Sequence, residues 1–114
     1  MDPTQENEAQ AAAIVEFFRA EFATKIVIDS CPSGGYQIET DAGASFTVEI
    51  CGATKAAVAR AYFEHIRSVN RFVAENRRSG SRLDGGRVFS RAERGRARLT
   101  LAKLDVWARQ HLPA

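Results

Sequence analysis

The stretch Lys25-Ile26-Val27-Ile28-Asp29, Ser30-Cys31-Pro32-Ser33-Gly34-Gly35, Tyr36-Gln37-Ile38-Glu39-Thr40 decides the reading of this chain. A short β-branched run, a Pro/Gly-rich connection and an alternating run predict two strands joined by a tight turn. Tyr36 and Ile38 fall on one face of the second strand. Asp41-Ala42-Gly43-Ala44 predicts another hairpin turn, with Gly43 able to take a positive φ. Ser45-Phe46-Thr47-Val48-Glu49-Ile50-Cys51 alternates again, placing Phe46, Val48 and Ile50 inward. If Thr40 stands opposite Ser45, Gly35 faces Ile50, and Cys51 comes near the Cys31 loop. The expectation is a three-stranded antiparallel meander whose wet face carries Gln37, Glu39, Thr47 and Glu49.

Outside this ribbon the period changes from two to 3.6. Asp2-Pro3 reads as a cap followed by proline at the first helical position. Ala11, Ile14, Val15, Phe18 and Phe22 then share one face of a helix from about Pro3 to Ala23. After the sheet, Thr54 caps a second helix running to about Arg78. Ala59, Tyr62, Phe63, Ile66, Val69 and Val73 form its apolar stripe. Arg60, Glu64, Arg67, Arg71, Glu75 and Arg78 form the opposite one, with Phe72 off the main stripe near His65.

Asn76 to Arg87 is rich in Gly, Ser and Arg and reads as an exposed linker. Beyond it two readings compete. Ser90-Arg91-Ala92-Glu93 is a capping box, favouring one helix from about Arg91 to Leu112. Such a helix buries Ala97, Leu101, Leu104, Ala108 and Leu112 and leaves Leu99 and Val106 on its far side. The other reading takes the alternation of Arg96-Ala97-Arg98-Leu99-Thr100-Leu101, and Gly95, as one arm of a hairpin begun at Val88-Phe89. Cap and propensity together favour the helix.

The fold expected is therefore α+β: two helices on one face of the meander plus a C-terminal helix, in the order α-β-β-β-α-α. The hairpin reading gives α-β-β-β-α-β-β-α instead. Residues 1–78 are the core, 79–89 a basic linker, and 90–114 an Arg-rich helix on the same domain. Ile26, Ile28, Ile38, Phe46, Val48 and Ile50 are expected to meet Phe18, Phe22, Tyr62, Ile66 and Val69.

Length and composition bound the function. The chain has 114 residues, is 45% hydrophobic and 26% charged, and carries a formal net charge of +2. That suits one small globular domain rather than a disordered chain. No apolar run approaches the roughly 20 residues of a membrane helix, and the polar start does not read as a secretion signal. A cytoplasmic location with reduced cysteines is the expectation. The charge is uneven. Residues 1–76 hold six Lys/Arg against eleven Asp/Glu, net −5, while residues 77–114 hold ten against three, net +7. Nine of those ten are arginines, whose planar forks suit phosphates and carboxylates.

Candidates for chemistry are few. His65, His111, Cys31 and Cys51 are the only histidines and cysteines, and neither CxxC nor HExxH occurs. Cys31 lies in a loop expected to be exposed, with no base at hand to activate it. A Cys31–Cys51 bridge is conceivable from the expected strand register. The reading is of a chain that is not an enzyme and needs no cofactor or metal.

Two partner classes are expected instead. The first is that of a protein-interaction module that self-associates as a homodimer, with an unknown protein partner also open, contacted through surplus apolar side chains: Phe17, Phe72, Leu99, Val106 and Trp107. The alternative is weak, sequence-independent binding of nucleic acid or another polyanion. It would use Arg77, Arg78, Arg82, Arg87, Arg91, Arg94, Arg96 and Arg98.

The order α-β-β-β-α over residues 3–78 resembles double-stranded-RNA-binding domains. That likeness implies contacts to A-form RNA from the start of the second helix and from a strand loop. Thr54-Lys55-Ala56-Ala57 offers Lys55 where those domains have a lysine cluster, and Cys31-Pro32-Ser33-Gly34 keeps their loop proline without the histidine. The helix Ile14-Val15-Glu16-Phe17-Phe18 leading into a meander is also similar to class I type III secretion chaperones. Those are acidic dimers of order α-β-β-β-α-β-β-α, from which the basic tail departs. The Ala/Arg-rich usage resembles small proteins of high-GC proteobacteria.

Overall fold

The computed structural model describes residues 2–32, 34–40, 51–78 and 86–112. It is α+β, with three helices and an antiparallel sheet. Helix α1 spans Pro3–Phe22, β1 Ile26–Ser30, β2 Tyr36–Thr40, β3 Cys51–Gly52, α2 Lys55–Glu75 and α3 Arg91–His111. Contacts divide the chain into two units, Met1–Glu64 and His65–Ala114, with the division falling inside α2.

In the first unit, α1 begins as its sequence dictates. The Asp2 carboxylate accepts the Gln5 N–H at 2.9 Å, and Pro3 opens the helix. Its end is less usual: Ala23 takes a left-handed conformation, φ 51°, and its N–H closes on the Arg19 carbonyl at 3.1 Å. Glycine ordinarily fills that place. Ala11, Ile14 and Phe18 are buried as the spacing predicts, whereas Val15 and Phe22 are half-buried.

Strands β1 and β2 pair along their full length, with Ile28 opposite Ile38 and Ile26 opposite Thr40. Ile26 and Ile38 are buried, Ile28 is half-buried, and Glu39 and Asp29 face water. The loop between the strands is pinned by the Cys31 N–H donating to the Gly35 carbonyl at 2.9 Å. Cys31 is buried, not exposed as expected, and its thiol lies 3.8 Å from the Gln37 amide oxygen.

On the other side of β2, Gln37 stands opposite Cys51 and Tyr36 opposite Gly52. The expected register is thereby corrected: continued from Thr40–Ser45, it would have set Gln37 against Val48, three residues away. The reason is a close backbone approach. Gly35 has φ +76°, and a Cβ there would fall on the Gly52 carbonyl oxygen; a Cβ on Gly52 would come 3.3 Å from the Val58 nitrogen. Two residues without side chains fix where the chain returns. The turn expected at Asp41–Ala44 and the strand positions Ser45–Ile50, with Phe46, Thr47, Val48 and Glu49, lie outside the described residues.

The start of α2 is held twice. Thr54 accepts the Ala57 N–H at 3.0 Å, the local cap expected. From α1, the Asn7 side chain accepts the Ala56 N–H at 2.7 Å. Lys55 pairs with Glu8 at 3.2 Å, and Arg60 donates to Gln10. The first half of α2 then closes an aromatic cluster with α1. Phe18 lies 5.1 Å from Tyr62 and 6.0 Å from Phe63, edge-on to both, and Phe17 meets Phe18 edge-on at 5.5 Å. Phe17 is only 8% exposed. Burial pushes the Tyr62 phenol above its ordinary value; the Thr40 hydroxyl tempers that rise without making a hydrogen bond of normal geometry.

The apolar stripe of α2 continues past this cluster, but burial does not. Ile66 is half-buried and Val69 is 46% exposed, which corrects their placement in the core. Every fully buried α2 side chain lies at or before Phe63. The helix ends at Glu75, not Arg78, where the Asn76 side chain donates back to the Phe72 carbonyl at 2.8 Å.

Candidate functional site

Within the second unit, α3 forms from the capping box that its sequence carries. Ser90 accepts the Glu93 N–H and Glu93 accepts the Ser90 N–H, both at 3.0 Å. Arg87 adds a charged hydrogen bond to Glu93 at 3.0 Å. The Ser90 backbone bond, then Arg87, holds the Glu93 carboxyl below the usual carboxylate range. The chain is helical through Arg91–His111, so the hairpin reading of residues 87–101 is overturned. Gly95, the residue that argued for a break, sits where a Cβ would meet nothing within 4 Å.

One side of α3 is anchored. Ala97, Leu104 and Ala108 are buried, and Leu101 and Leu112 are half-buried. Asp105 accepts from the Arg67 Nε at 2.7 Å, with Arg71 at 3.9 Å, which ties α3 to the second half of α2. A groove of about 360 Å³ runs along this junction, lined by Asn70, Val73, Glu93, Arg96, Ala97 and Thr100. At the far end the Trp107 and His111 rings stack 4.5 Å apart.

The opposite side of α3 faces water. At 100° per residue, Leu99, Ala102 and Val106 lie across the helix from Ala97, Leu104 and Ala108. Leu99 is 69% exposed and Val106 47%. Ala92, ahead of them on the same side, is exposed too.

The residues singled out in the sequence do not form one patch. Arg91 and Arg98 flank the outer stripe on one side and Arg96 on the other; all three are exposed. Arg94 turns toward the buried side, and its Nε is buried without an acceptor. Arg87 is engaged by Glu93 and lies over the Phe89 ring, 5.3 Å from its centre. Arg77 is exposed, Arg78 donates to the Gly86 carbonyl at 3.3 Å, and Arg82 lies outside the described residues. Of the apolar candidates, Leu99 and Val106 share the outer face of α3, with Trp107 half-buried beside it. Phe72, on α2, is exposed and meets Phe89 edge-on at 6.1 Å. Phe17 belongs to the interior of the first unit. Ala92 and Ala102, which complete the stripe, were not singled out; the spacing 92, 99, 102, 106 was their only signal.

Among the described residues no group of three or more His, Cys, Asp or Glu stands close enough to hold a metal ion. No described helix is long and apolar enough to cross a membrane. No protein-family model matches the chain, nor does any curated protein or any solved structure.

Proposed function

We propose that this protein is a non-enzymatic protein-interaction module whose binding surface is the outer face of α3. The supporting observation is the exposure of Leu99 and Val106, seven residues apart on the side turned away from the buried residues of the helix. Burying such a side chain is worth roughly 1.5–3 kcal/mol, a gain that a partner can collect and that folding leaves unused. The sheet beneath α1 is read as a three-stranded meander closed by residues 45–52, with Cys51 opposite Gln37 as its support.

The test is site-specific photocrosslinking in the cell that makes this protein. A photoreactive residue at position 99 is expected to give a covalent adduct with a polypeptide, and one at the exposed strand position 39 is not. Absence of an adduct at both 99 and 106 refutes the reading.

A second reading draws on the same helix. Among the described residues Arg91, Arg96 and Arg98 have no ion-pair partner, which favours an anionic ligand such as nucleic acid. That reading requires binding to duplex DNA that weakens steeply with salt, log K falling by roughly 0.9 for each phosphate neutralised. Two aliphatic side chains at the centre of the face favour the protein partner, because phosphates leave them in water.

A further inference from the structure

Resting on that reading of α3, we infer that the outer face takes an acidic amphipathic helix of another protein, rather than a second copy of this chain. The seam is helical in spacing. Ala92, Gly95, Leu99, Ala102 and Val106 follow one another at alternating steps of three and four, the repeat by which one helix packs along another. At Gly95 nothing lies within 4 Å of where a Cβ would be, so an incoming backbone can approach closely there.

The flanks choose the partner. Arg91 and Arg98 border the seam on one side and Arg96 and Lys103 on the other, so both borders are cationic. The carboxylates of α3 are spent elsewhere: Glu93 on Ser90 and Arg87, Asp105 on Arg67. Pairing this seam with itself sets like charges opposite one another in either direction. In a parallel pair Arg98 faces Lys103 of the other copy and Arg91 faces Arg96. In an antiparallel pair centred between Leu99 and Ala102, Arg96 faces Lys103 twice, while on the other border Arg98 faces Asp105, a carboxylate already held by Arg67. Like-charge juxtaposition of this kind suppresses the wrong partner. A helix with leucine or isoleucine in its seam and Glu or Asp on both borders satisfies the same positions, with guanidinium forks taking carboxylates two oxygens at a time.

Fluorescence anisotropy with the full chain tests this. The probes are a synthetic helix of about three heptads with Leu in the seam and Glu on the borders, the same helix with Lys on the borders, and a duplex DNA. The Glu-bordered helix is expected to bind about tenfold tighter than the Lys-bordered one, a difference of about 1.4 kcal/mol, and to weaken as salt rises. Leu99→Ser/Val106→Ser is expected to weaken that binding about tenfold, with an unchanged circular dichroism spectrum because both side chains are exposed. Val27→Ser, at an exposed apolar position on β1, leaves it unchanged. No binding of the Glu-bordered helix, equal binding of the Lys-bordered one, or tighter binding of DNA that survives the double substitution overturns the inference. A dimer in light scattering that the double substitution abolishes also overturns it, yet leaves α3 as a protein-binding surface. Absence of the photocrosslink at 99 and 106 removes both.

Discussion

Asn7→Ala is the most informative single change in the first unit. The Asn7 oxygen accepts the Ala56 N–H at 2.7 Å across a separation of 49 residues, joining α1 to the first turn of α2. First-turn N–H groups have no partner within their own helix, and Ala56 is buried. A buried donor left without an acceptor costs about 1–3 kcal/mol. Here water moderates the loss, since an open groove of about 320 Å³ borders the bond and is lined by Asn7, Thr54 and Ala56 among others. The expected cost is therefore near the low end, about 1 kcal/mol. With a urea slope of about 2 kcal/mol/M, the midpoint falls by about 0.5 M. Asn7→Asp keeps the acceptor and adds negative charge at a helix N-terminus, which is favourable, so its midpoint should equal or exceed that of the parent. Glu8→Gln removes an exposed ion pair with Lys55 and should shift the midpoint by no more than about 0.25 M, since such pairs are worth at most about 0.5 kcal/mol here. Urea titration followed at 222 nm separates the three. An unchanged midpoint for Asn7→Ala, or Asn7→Asp as damaging as Asn7→Ala, refutes the reasoning.

Gly35→Ala should cost about 3 kcal/mol or more, since the new methyl meets the Gly52 backbone as well as a positive φ, whereas Gly34→Ala, with φ +97° and open space, pays only the conformational part, about 1–2 kcal/mol. Equal losses in denaturation would show that the Gly35–Gly52 approach is not what matters. Ala23→Gly should raise stability by about 0.5 kcal/mol, the relief of a left-handed alanine less the added freedom of the unfolded chain; a lowered urea midpoint contradicts it. For Tyr62 the folded phenol holds its proton more tightly than the unfolded one, which ionises near 10.0. Its contribution is complete below that pH and is lost as pH rises from there through the folded value. Stability measured from pH 8 upward should therefore fall less steeply in Tyr62→Phe than in the parent, and parallel curves would rule this out.

The sequence foretold local decisions better than tertiary ones. Asp2-Pro3 and Ser90-x-x-Glu93 are complete statements of a helix start, and both hydrogen-bond as read. The capping box also prevailed over the alternation of residues 96–101, because a period of two carries weight only where a strand partner exists. The split of α3 into an inner face with Ala97, Leu104 and Ala108 and an outer one with Leu99 and Val106 followed directly from helical geometry. What failed was reach and register. Periodicity gives the face of α2 that packs, not how far the packing extends, and full burial stops at Phe63 although the stripe runs to Val73. The register along β2 was inferred from a turn around Gly43, while the contact that sets it lies at its other end, between Gly35 and Gly52. Asn7 had no signal at all: its role exists only once α1 and α2 are side by side.

With Glu93 spent on Ser90 and Arg87 and Asp105 held by Arg67, what the outward side of α3 offers the solvent is a pair of aliphatic groups bordered by guanidinium and ammonium charge. Guanidinium does not titrate in any physiological range. Its bordering residues, Arg91, Arg96, Arg98 and Lys103, include no imidazole to act as a proton-operated gate. Any on–off control of what docks there has to be exercised by the visitor, for instance through how many acidic or phosphorylated positions it carries, or by the ionic strength around them.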